Sequence, residues 1–172
     1  MTSYQRLKIT RRASLRAIAT FFGIGTASQI LGCEGVSSFE NDPTNGYWRL
    51  RVEQLETDYP TAHTEDEPGT TDDGTDLSGK VNTHLPILKV GADGMLSIYV
   101  GKTDSPHEMA SGHFVSVIYL KNQDGDVIFL RELTPRSSLS TKIPIPKNST
   151  EIIPYAVCNL HERWKGKSLI AQ

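Results

Sequence analysis

Cysteine is scarce in this sequence. The 172 residues include only two, Cys33 and Cys158, so a single chain cannot form a site from four cysteine ligands. One disulfide between the two is compatible with the count. Each cysteine also lies in its own short motif, one at the end of an apolar stretch and the other beside a histidine.

The sequence has no excess of basic residues outside its first 32 positions. Its formal net charge is −2, and those 32 positions hold five basic residues and no acidic one. The rest of the chain therefore carries a net charge of −7. Proteins that bind nucleic acid through its phosphates normally present a basic face, so this charge argues against a nucleic-acid partner.

The signatures of several enzyme classes are also missing. The sequence indicates no serine-hydrolase triad, no phosphate-binding glycine loop and no pair of catalytic carboxylates. Ser137, Ser138 and the acidic residues between positions 61 and 76 are interpreted as solvated surface. The chemistry of this chain therefore has to be sought among its histidines and cysteines.

The uncharged stretch at residues 17–31 is too short to span a membrane. It has 15 residues, whereas a transmembrane helix needs about 20. It follows the pair Arg11-Arg12, and paired arginines ahead of a mildly apolar stretch resemble a twin-arginine export signal. We therefore expect residues 1–32 to be a signal peptide of this type. Because the route exports folded proteins, we expect a periplasmic protein that is already folded when it leaves the cytoplasm.

The same stretch ends in Ile30-Leu31-Gly32-Cys33, which resembles a bacterial lipobox. If signal peptidase cuts before Cys33, a diacylglycerol on its thiol would anchor the protein to the membrane. Ordinary cleavage nearby, with Cys33 left as a free thiol, is the alternative.

Residues 33–79 are predicted to be an acidic, largely disordered linker. The run at residues 61–76 is rich in acids and turn formers and has almost nothing to bury. His63 within it is therefore expected to be exposed and not a ligand. Residues 47–55 are an exception. Trp48, Leu50 and Val52 alternate as in a strand, whereas Leu55 breaks the alternation and allows a short helix, docked onto the domain.

Residues 80–172 have the pattern of an all-β domain. Short β-branched and aromatic runs alternate with turns such as those at residues 92–94 and 122–126. Because proline cannot donate to a ladder, the run with two prolines is an edge or crossing segment. We predict an all-β fold, an immunoglobulin-like β-sandwich. Its strands are expected at residues 85–90, 95–100, 114–120, 127–131 and 151–157, with 143–146 as the proline-containing segment.

Cys158 and His161 are close enough in sequence to face one metal ion from a single tight turn. A thiolate and an imidazole together suit zinc, copper or iron, whereas calcium and magnesium prefer oxygen ligands. His84, His107 and His113 lie at predicted strand ends or in loops, where a rigid sandwich can direct them to one point. Taken singly, each histidine is equally compatible with a core position. Together they predict a mononuclear metal site at the strand-end loops.

The sequence also resembles a known family. The superoxide reductases of the desulfoferrodoxin and neelaredoxin family contain H-x-P-x-I, then H-x-M-x-x-x-H-x-x-x-x-I-x-L, then C-N-x-H-x-x-W. Residues 80–166 are similar to this pattern, although Ile87 stands one place early. The matching positions are His84, Pro86, His107, Met109, His113, Ile118, Leu120, Cys158, Asn159, His161 and Trp164.

The resemblance implies one iron ion per chain, cycling between Fe(2+) and Fe(3+). Superoxide would be reduced to hydrogen peroxide, and an external electron donor would return the iron to its ferrous state. The chain has too few cysteines for a second, rubredoxin-like iron site, so a one-iron form is implied. The implied ligands are four equatorial imidazoles and one axial thiolate, opposite an open position: His84, His107, His113, His161 and Cys158.

The chain departs from the family pattern just before the first histidine. Family members usually carry glutamate and lysine there, whereas this chain has Asn82 and Thr83. In the family the lysine is implied to attract the anion and to help protonate the peroxide. We therefore place Thr83 beside Cys158 at the catalytic positions and expect weaker steering of superoxide, since Thr83 has no charge. Other lysines could replace the missing cation: Lys80, Lys102 or Lys165.

Three other interpretations fit part of the pattern. A cupredoxin-like electron carrier is also a β-sandwich, but a blue-copper site uses two histidines, one cysteine and a weak axial methionine. No methionine follows His161. A structural zinc site takes four ligands and leaves no open position. This chain offers five candidate ligands, one more than such a site uses. A non-catalytic periplasmic iron-binding or redox-sensing module would keep the iron, with weak turnover because Thr83 replaces the lysine.

Overall fold

The computed structural model describes residues 46–171. The predicted signal peptide at residues 1–32, Cys33 with its predicted lipid, and the predicted linker up to residue 45 lie outside the described residues. Within the described part, no helix is both long and apolar enough to cross a membrane.

Residues 46–171 contain two β-sheets. The strands are β1 Ala62–His63, β2 Pro86–Val90, β3 Met95–Lys102, β4 Ser105–Pro106, β5 Val115–Asn122, β6 Val127–Glu132, β7 Thr141–Pro144, β8 Glu151–Cys158, β9 Glu162–Lys165 and β10 Leu169–Ile170. The first sheet has the order β1-β9-β8-β5-β6, with β10 also paired to β8, and in the second β3 pairs with β2, β4 and β7. This two-sheet, mostly β architecture confirms the predicted fold class.

The main core lies between the two sheets. Leu96 and Ile98 alternate along β3 with 0% exposure, and they belong to one buried cluster with Ile118 and Leu120 of β5. Alternation is expected where one face of a strand packs against an opposing sheet. This core holds the two sheets rigidly, so that the loops at their ends can carry functional side chains.

Helix α1, Gly46–Asp58, covers the outer face of the first sheet. Trp48, Val52 and Leu55 recur at helical spacing, and each is at most 3% exposed. They pack against Val117 and Tyr119, the residues of β5 that face away from the main core. The alternation that favoured a strand over residues 47–55 was therefore misleading, and the docked helix is what the structure shows.

Residues 59–79 are more ordered than the predicted linker. β1 pairs in parallel with β9, placing His63 opposite Trp164, and Leu77 is fully buried. His63 is 1% exposed, so the expectation that it lies in solvent is wrong. Average composition misleads here because a few buried residues, Leu77 among them, fix a segment whose acids remain on the surface.

The predicted strands from residue 85 onward appear as β2, β3, β5, β6 and β8, with ends shifted by a few residues. The proline-containing segment, predicted at residues 143–146, overlaps β7, which pairs with β3. One local expectation is wrong. His84, which was expected at the start of the strand at residues 85–90, instead ends helix α2, Val81–His84, which follows a 3₁₀ turn at Ser78–Lys80, and β2 begins at Pro86.

Candidate metal centre

Five potential ligands come from separate elements of the fold. His84 ends α2 and His107 follows β4, while His113 lies in the loop before β5. Cys158 is the last residue of β8, and His161 lies in the turn to β9. The pairing of β5 with β8 shifts register between Val115 and Val117, beside Cys158. Such bulges redirect side chains at the margins of a sheet.

The structure brings these side chains together. One donor atom each from His84, His107, His113 and Cys158 lies within 4.8 Å of the other three. His161 adjoins this group, because its Nδ1 is 2.9 Å from Nε2 of His84 and 3.6 Å from Sγ of Cys158. Nε2 of His107 is 3.4 Å from the same sulfur. The geometry suits a single ion among these donors, although their role as ligands remains a prediction.

The outward-facing nitrogens of three imidazoles lie near oxygen atoms, and two of them are within hydrogen-bond distance of a backbone carbonyl. Nδ1 of His84 lies 3.1 Å from the Lys80 carbonyl, and Nδ1 of His107 contacts the Glu108 carbonyl. Nδ1 of His113 is 3.6 Å from the carboxylate of Glu108. Because a carbonyl can only accept, each Nδ1 facing one must carry the proton. This leaves Nε2 with a lone pair, as in histidines that bind metals.

His113 provides a direct test of whether a metal fits. Its Nε2 is buried and has no hydrogen-bond partner among the described residues. A buried polar atom without a partner is costly, and a bound cation would satisfy this one. Imidazoles and a thiol are the donors that suit iron, copper and zinc, so the residues present fit a transition metal.

Burial controls the protonation of the site. It lowers the pKa of His84 to about 3, with the neighbouring imidazoles acting in the same direction. It also lowers the pKa of His107 to about 4, although the Glu108 carbonyl opposes the shift. For the Cys158 thiol, burial raises the pKa. At neutral pH without metal, these histidines are neutral and the cysteine is protonated, so binding a metal must release the thiol proton.

These shifts predict that the metal-free chain loses stability on mild acidification. The unfolded histidines titrate near pH 6.5, above the folded values, so the unfolded state binds more protons as the pH falls from about 6.5 towards 4. The free energy of unfolding should drop by roughly 2–5 kcal/mol over this range. Urea unfolding of the metal-free chain at several pH values measures this. A double variant, His84→Gln with His107→Gln, should show a flatter profile, and an equally steep profile would contradict the assignment.

Two side chains fix the turn that carries Cys158 and His161. Asn159 accepts from the Phe114 backbone N–H at 2.7 Å and donates to the Gly112 carbonyl at 3.0 Å. Trp164 donates from its indole nitrogen to the His161 carbonyl at 2.8 Å. Both belong to the family pattern, but sequence reasoning gave them no such role. Only the structure shows that Asn159 joins this turn to the loop of His113.

The residue at the position of the family lysine lies behind His84. The Thr83 hydroxyl donates to the Lys80 carbonyl at 3.0 Å and lies 2.7 Å from Nδ1 of His84. This contact is on the outward nitrogen, so the hydroxyl helps to orient the ring. Of the lysines considered as substitutes, Lys102 and Lys165 line a cavity of about 520 Å³ beside β2.

Solved superoxide reductases resemble the chain at low identity. The enzyme from Treponema pallidum is 26% identical with a TM-score of 0.40, over 50% of this chain and 66% of that one. The one-iron enzyme from Giardia intestinalis is 19% identical with a TM-score of 0.42, over 52% of this chain and 99% of that one. The Nanoarchaeum equitans enzyme is 19% identical with a TM-score of 0.45, over 52% of this chain and 94% of that one. This chain thus spans just under two thirds of the Treponema protein, and no curated protein matches the sequence.

A model of the desulfoferrodoxin family matches residues 76–167. This range is 92 of the 172 residues, more than half of the chain. It contains all five potential ligands as well as Thr83, Asn159 and Trp164. The chain therefore belongs to the desulfoferrodoxin family.

Proposed function

We propose that this chain reduces superoxide to hydrogen peroxide at a single iron ion. Membership of the desulfoferrodoxin family implies iron, and the convergent donors fit a metal. The observation that carries the proposal is the buried, unpartnered Nε2 of His113. The proposed ligands are His84, His107, His113, His161 and Cys158.

Iron bound here would supply the one electron that superoxide needs, changing from Fe(2+) to Fe(3+) until an external donor restores it. The reaction also consumes two protons. Neutral His84 and His107 offer lone pairs without adding charge. The Cys158 thiolate cancels one of the two charges of a ferrous ion, so the occupied site keeps a single positive charge. In a partly buried site that charge favours an anionic substrate.

The positive charge of Lys80 acts on two members of the site, Cys158 and His161. Burial raises the pKa of Cys158, and the positive charge of Lys80 opposes that shift. Burial and His113 lower the pKa of His161, and Lys80 lowers it further. Lys80 therefore supplies some of the positive potential that the uncharged Thr83 does not provide.

A non-catalytic iron-binding or redox module is the second candidate. It is favoured by one observation, the contact of the Thr83 hydroxyl with the outward nitrogen of His84. In that position Thr83 neither attracts an anion nor delivers a proton. Such a module would keep the same metal site and react slowly with superoxide.

Pulse radiolysis of the reduced, iron-loaded chain separates these functions. We expect a fast second-order reaction with superoxide, and Thr83→Lys should accelerate it by about tenfold at low ionic strength through steering. The gain should shrink as salt is added. Thr83→Met, similar in length but uncharged, is the matched control.

Absence of a reaction between the wild-type chain and superoxide would favour the non-catalytic module. An equal gain from Thr83→Met would show that the acceleration comes from the loss of the hydroxyl and not from charge.

We also propose that the protein is exported by the twin-arginine route to the periplasm, with a lipid on Cys33. The support is the Arg11-Arg12 pair and the Ile30-Leu31-Gly32-Cys33 motif. Cell fractionation with a Cys33→Ala variant tests this. The lipid is ruled out if wild type and variant are equally soluble in the periplasm, and export is ruled out if both stay in the cytoplasm.

A further inference from the structure

We propose that His63 is a positioning residue for the metal centre, acting through Glu162 and Trp164 on the turn that carries His161. The inference rests on the proposed metal site, but not on its reaction with superoxide. His63 comes from residues 46–75, which precede the range matched by the desulfoferrodoxin family model. The assignment therefore concerns a part of this chain that the family pattern does not cover.

His63 is a buried polar residue with one specific partner. It is 1% exposed, and its Nε2 donates to the Glu162 carboxylate at 3.1 Å. Its other ring nitrogen, Nδ1, is buried without a partner among the described residues. The backbone at Gly69 passes so close that an added Cβ would lie 3.4 Å from that nitrogen. The ring is therefore enclosed, and its single hydrogen bond fixes its direction.

Glu162 lies directly after the proposed ligand His161 and has an unusual backbone conformation. Its φ is +60°, in the left-handed region that non-glycine residues rarely adopt. Its carboxylate bonds to His63 through one oxygen and accepts the Asp72 backbone N–H at 2.8 Å through the other. Strained backbone persists only where its surroundings over-determine it, and these two bonds supply that constraint beside a ligand.

Trp164 provides the second connection. The ring centroids of His63 and Trp164 are 5.5 Å apart, and those of Trp164 and His84 are 5.3 Å apart. The indole also donates to the His161 carbonyl. Trp164 is fully buried, so it transmits a change in its packing to both proposed ligands.

The backbone alone gives little support to this arrangement. β1 is only two residues long and pairs with β9 at two positions, Ala62 with Arg163 and His63 with Trp164. A pairing this short is marginal in water. Side-chain contacts therefore supply much of the attachment, and the bond between His63 and Glu162 is one of them, beside the Asp72 bond to Glu162 and the Arg163 bond to the Pro60 carbonyl.

The test compares variants of the full, iron-loaded chain. His63→Phe keeps a buried ring against Trp164 but removes the hydrogen bond to Glu162, and His63→Gln keeps a donor. Glu65→Gln, two residues away in an exposed ion pair with Lys167, is the matched control. The readouts are the rate of iron loss to a chelator and the energy of the thiolate-to-iron charge-transfer band.

We expect His63→Phe to lose iron about tenfold faster, in line with the loss of an outer support of a metal site, and to shift the band. His63→Gln should restore part of the wild-type rate of iron loss and part of the wild-type band energy. Glu65→Gln should match wild type in both readouts. Glu162→Gln, which keeps His63 in place, serves as the second variant and should also speed iron loss if His63→Phe does not fold. Wild-type behaviour in the folded variants would overturn the role of His63.

Neither readout uses superoxide. A wild-type chain that holds iron but does not react with superoxide would overturn the proposed function and leave this test intact, whereas a chain that takes up no iron would overturn both.

Discussion

Replacing Cys158 by serine is expected to abolish the thiolate-to-iron charge-transfer band while the sandwich stays folded. Cys158 is 1% exposed at the end of β8, and its sulfur adjoins His107 and His161. Serine is close in size, so packing changes little, but its hydroxyl is a hard donor that does not ionise at neutral pH. Iron affinity should fall on the order of 100-fold or more, since even an outer-sphere change costs 10–100-fold.

Absorption spectroscopy of the oxidised, iron-loaded chain checks this, with iron content measured on the same samples. Met109→Leu is the control because it removes a sulfur atom that packs against the main core and should leave the band unchanged. If Cys158→Ser retained the band and the iron, the sulfur of this residue would not be a ligand.

Replacing Trp48 by alanine should lower the free energy of unfolding by about 3–5 kcal/mol, as large-to-small changes in a core do. Trp48 is 2% exposed and packs with Val52 and Leu55 on the outer face of the first sheet. Without the indole, a cavity would open between α1 and the sheet beside Phe129 of β6, whose ring centroid is 6.3 Å from that of Trp48. The effect should be this large only if the helix belongs to the folded domain.

Urea unfolding of the full, metal-free chain at neutral pH measures the difference. Leu50→Ala is the matched control because Leu50 lies on the same helix but is 60% exposed, so it should change stability by no more than about 0.5 kcal/mol. Equal effects of the two substitutions would mean that α1 does not pack on the sheet in solution.

Residue type and spacing were enough to predict most of the fold from residue 80 onward. The strands were predictable because their β-branched and aromatic runs are bounded by turns such as that at residues 122–126, and β5 and β6 flank this turn. Residue type and strand-end positions predicted a shared metal site, but the full set of proposed ligands rested on the family pattern, since spacing alone cannot show that residues as distant as His84 and His161 converge. The structure now places their ring nitrogens 2.9 Å apart.

The segment before residue 80 was harder to predict, for a physical reason. Trp48 and Val52 are compatible with both a strand and a helix, because a spacing of four residues satisfies either period. The helix is favoured because it packs against Val117 and Tyr119. These residues form an apolar outer face on β5 that only a tertiary structure reveals.

The burial of His63 also depends on tertiary contacts that the local sequence does not reveal. Nothing near it in the sequence predicts burial, because its partner Glu162 is 99 positions away. The role of Thr83 was also beyond sequence reasoning, since only the structure shows its hydroxyl against the outward nitrogen of His84.

X-ray absorption at the iron edge of the full, iron-loaded chain tests the five-donor site most directly. We expect one sulfur and four imidazole nitrogens bonded to a single iron ion per chain, with the sulfur signal lost in Cys158→Ser. A wild-type spectrum without a bonded sulfur, or with more than one, would contradict the site built from Cys158 and the four histidines.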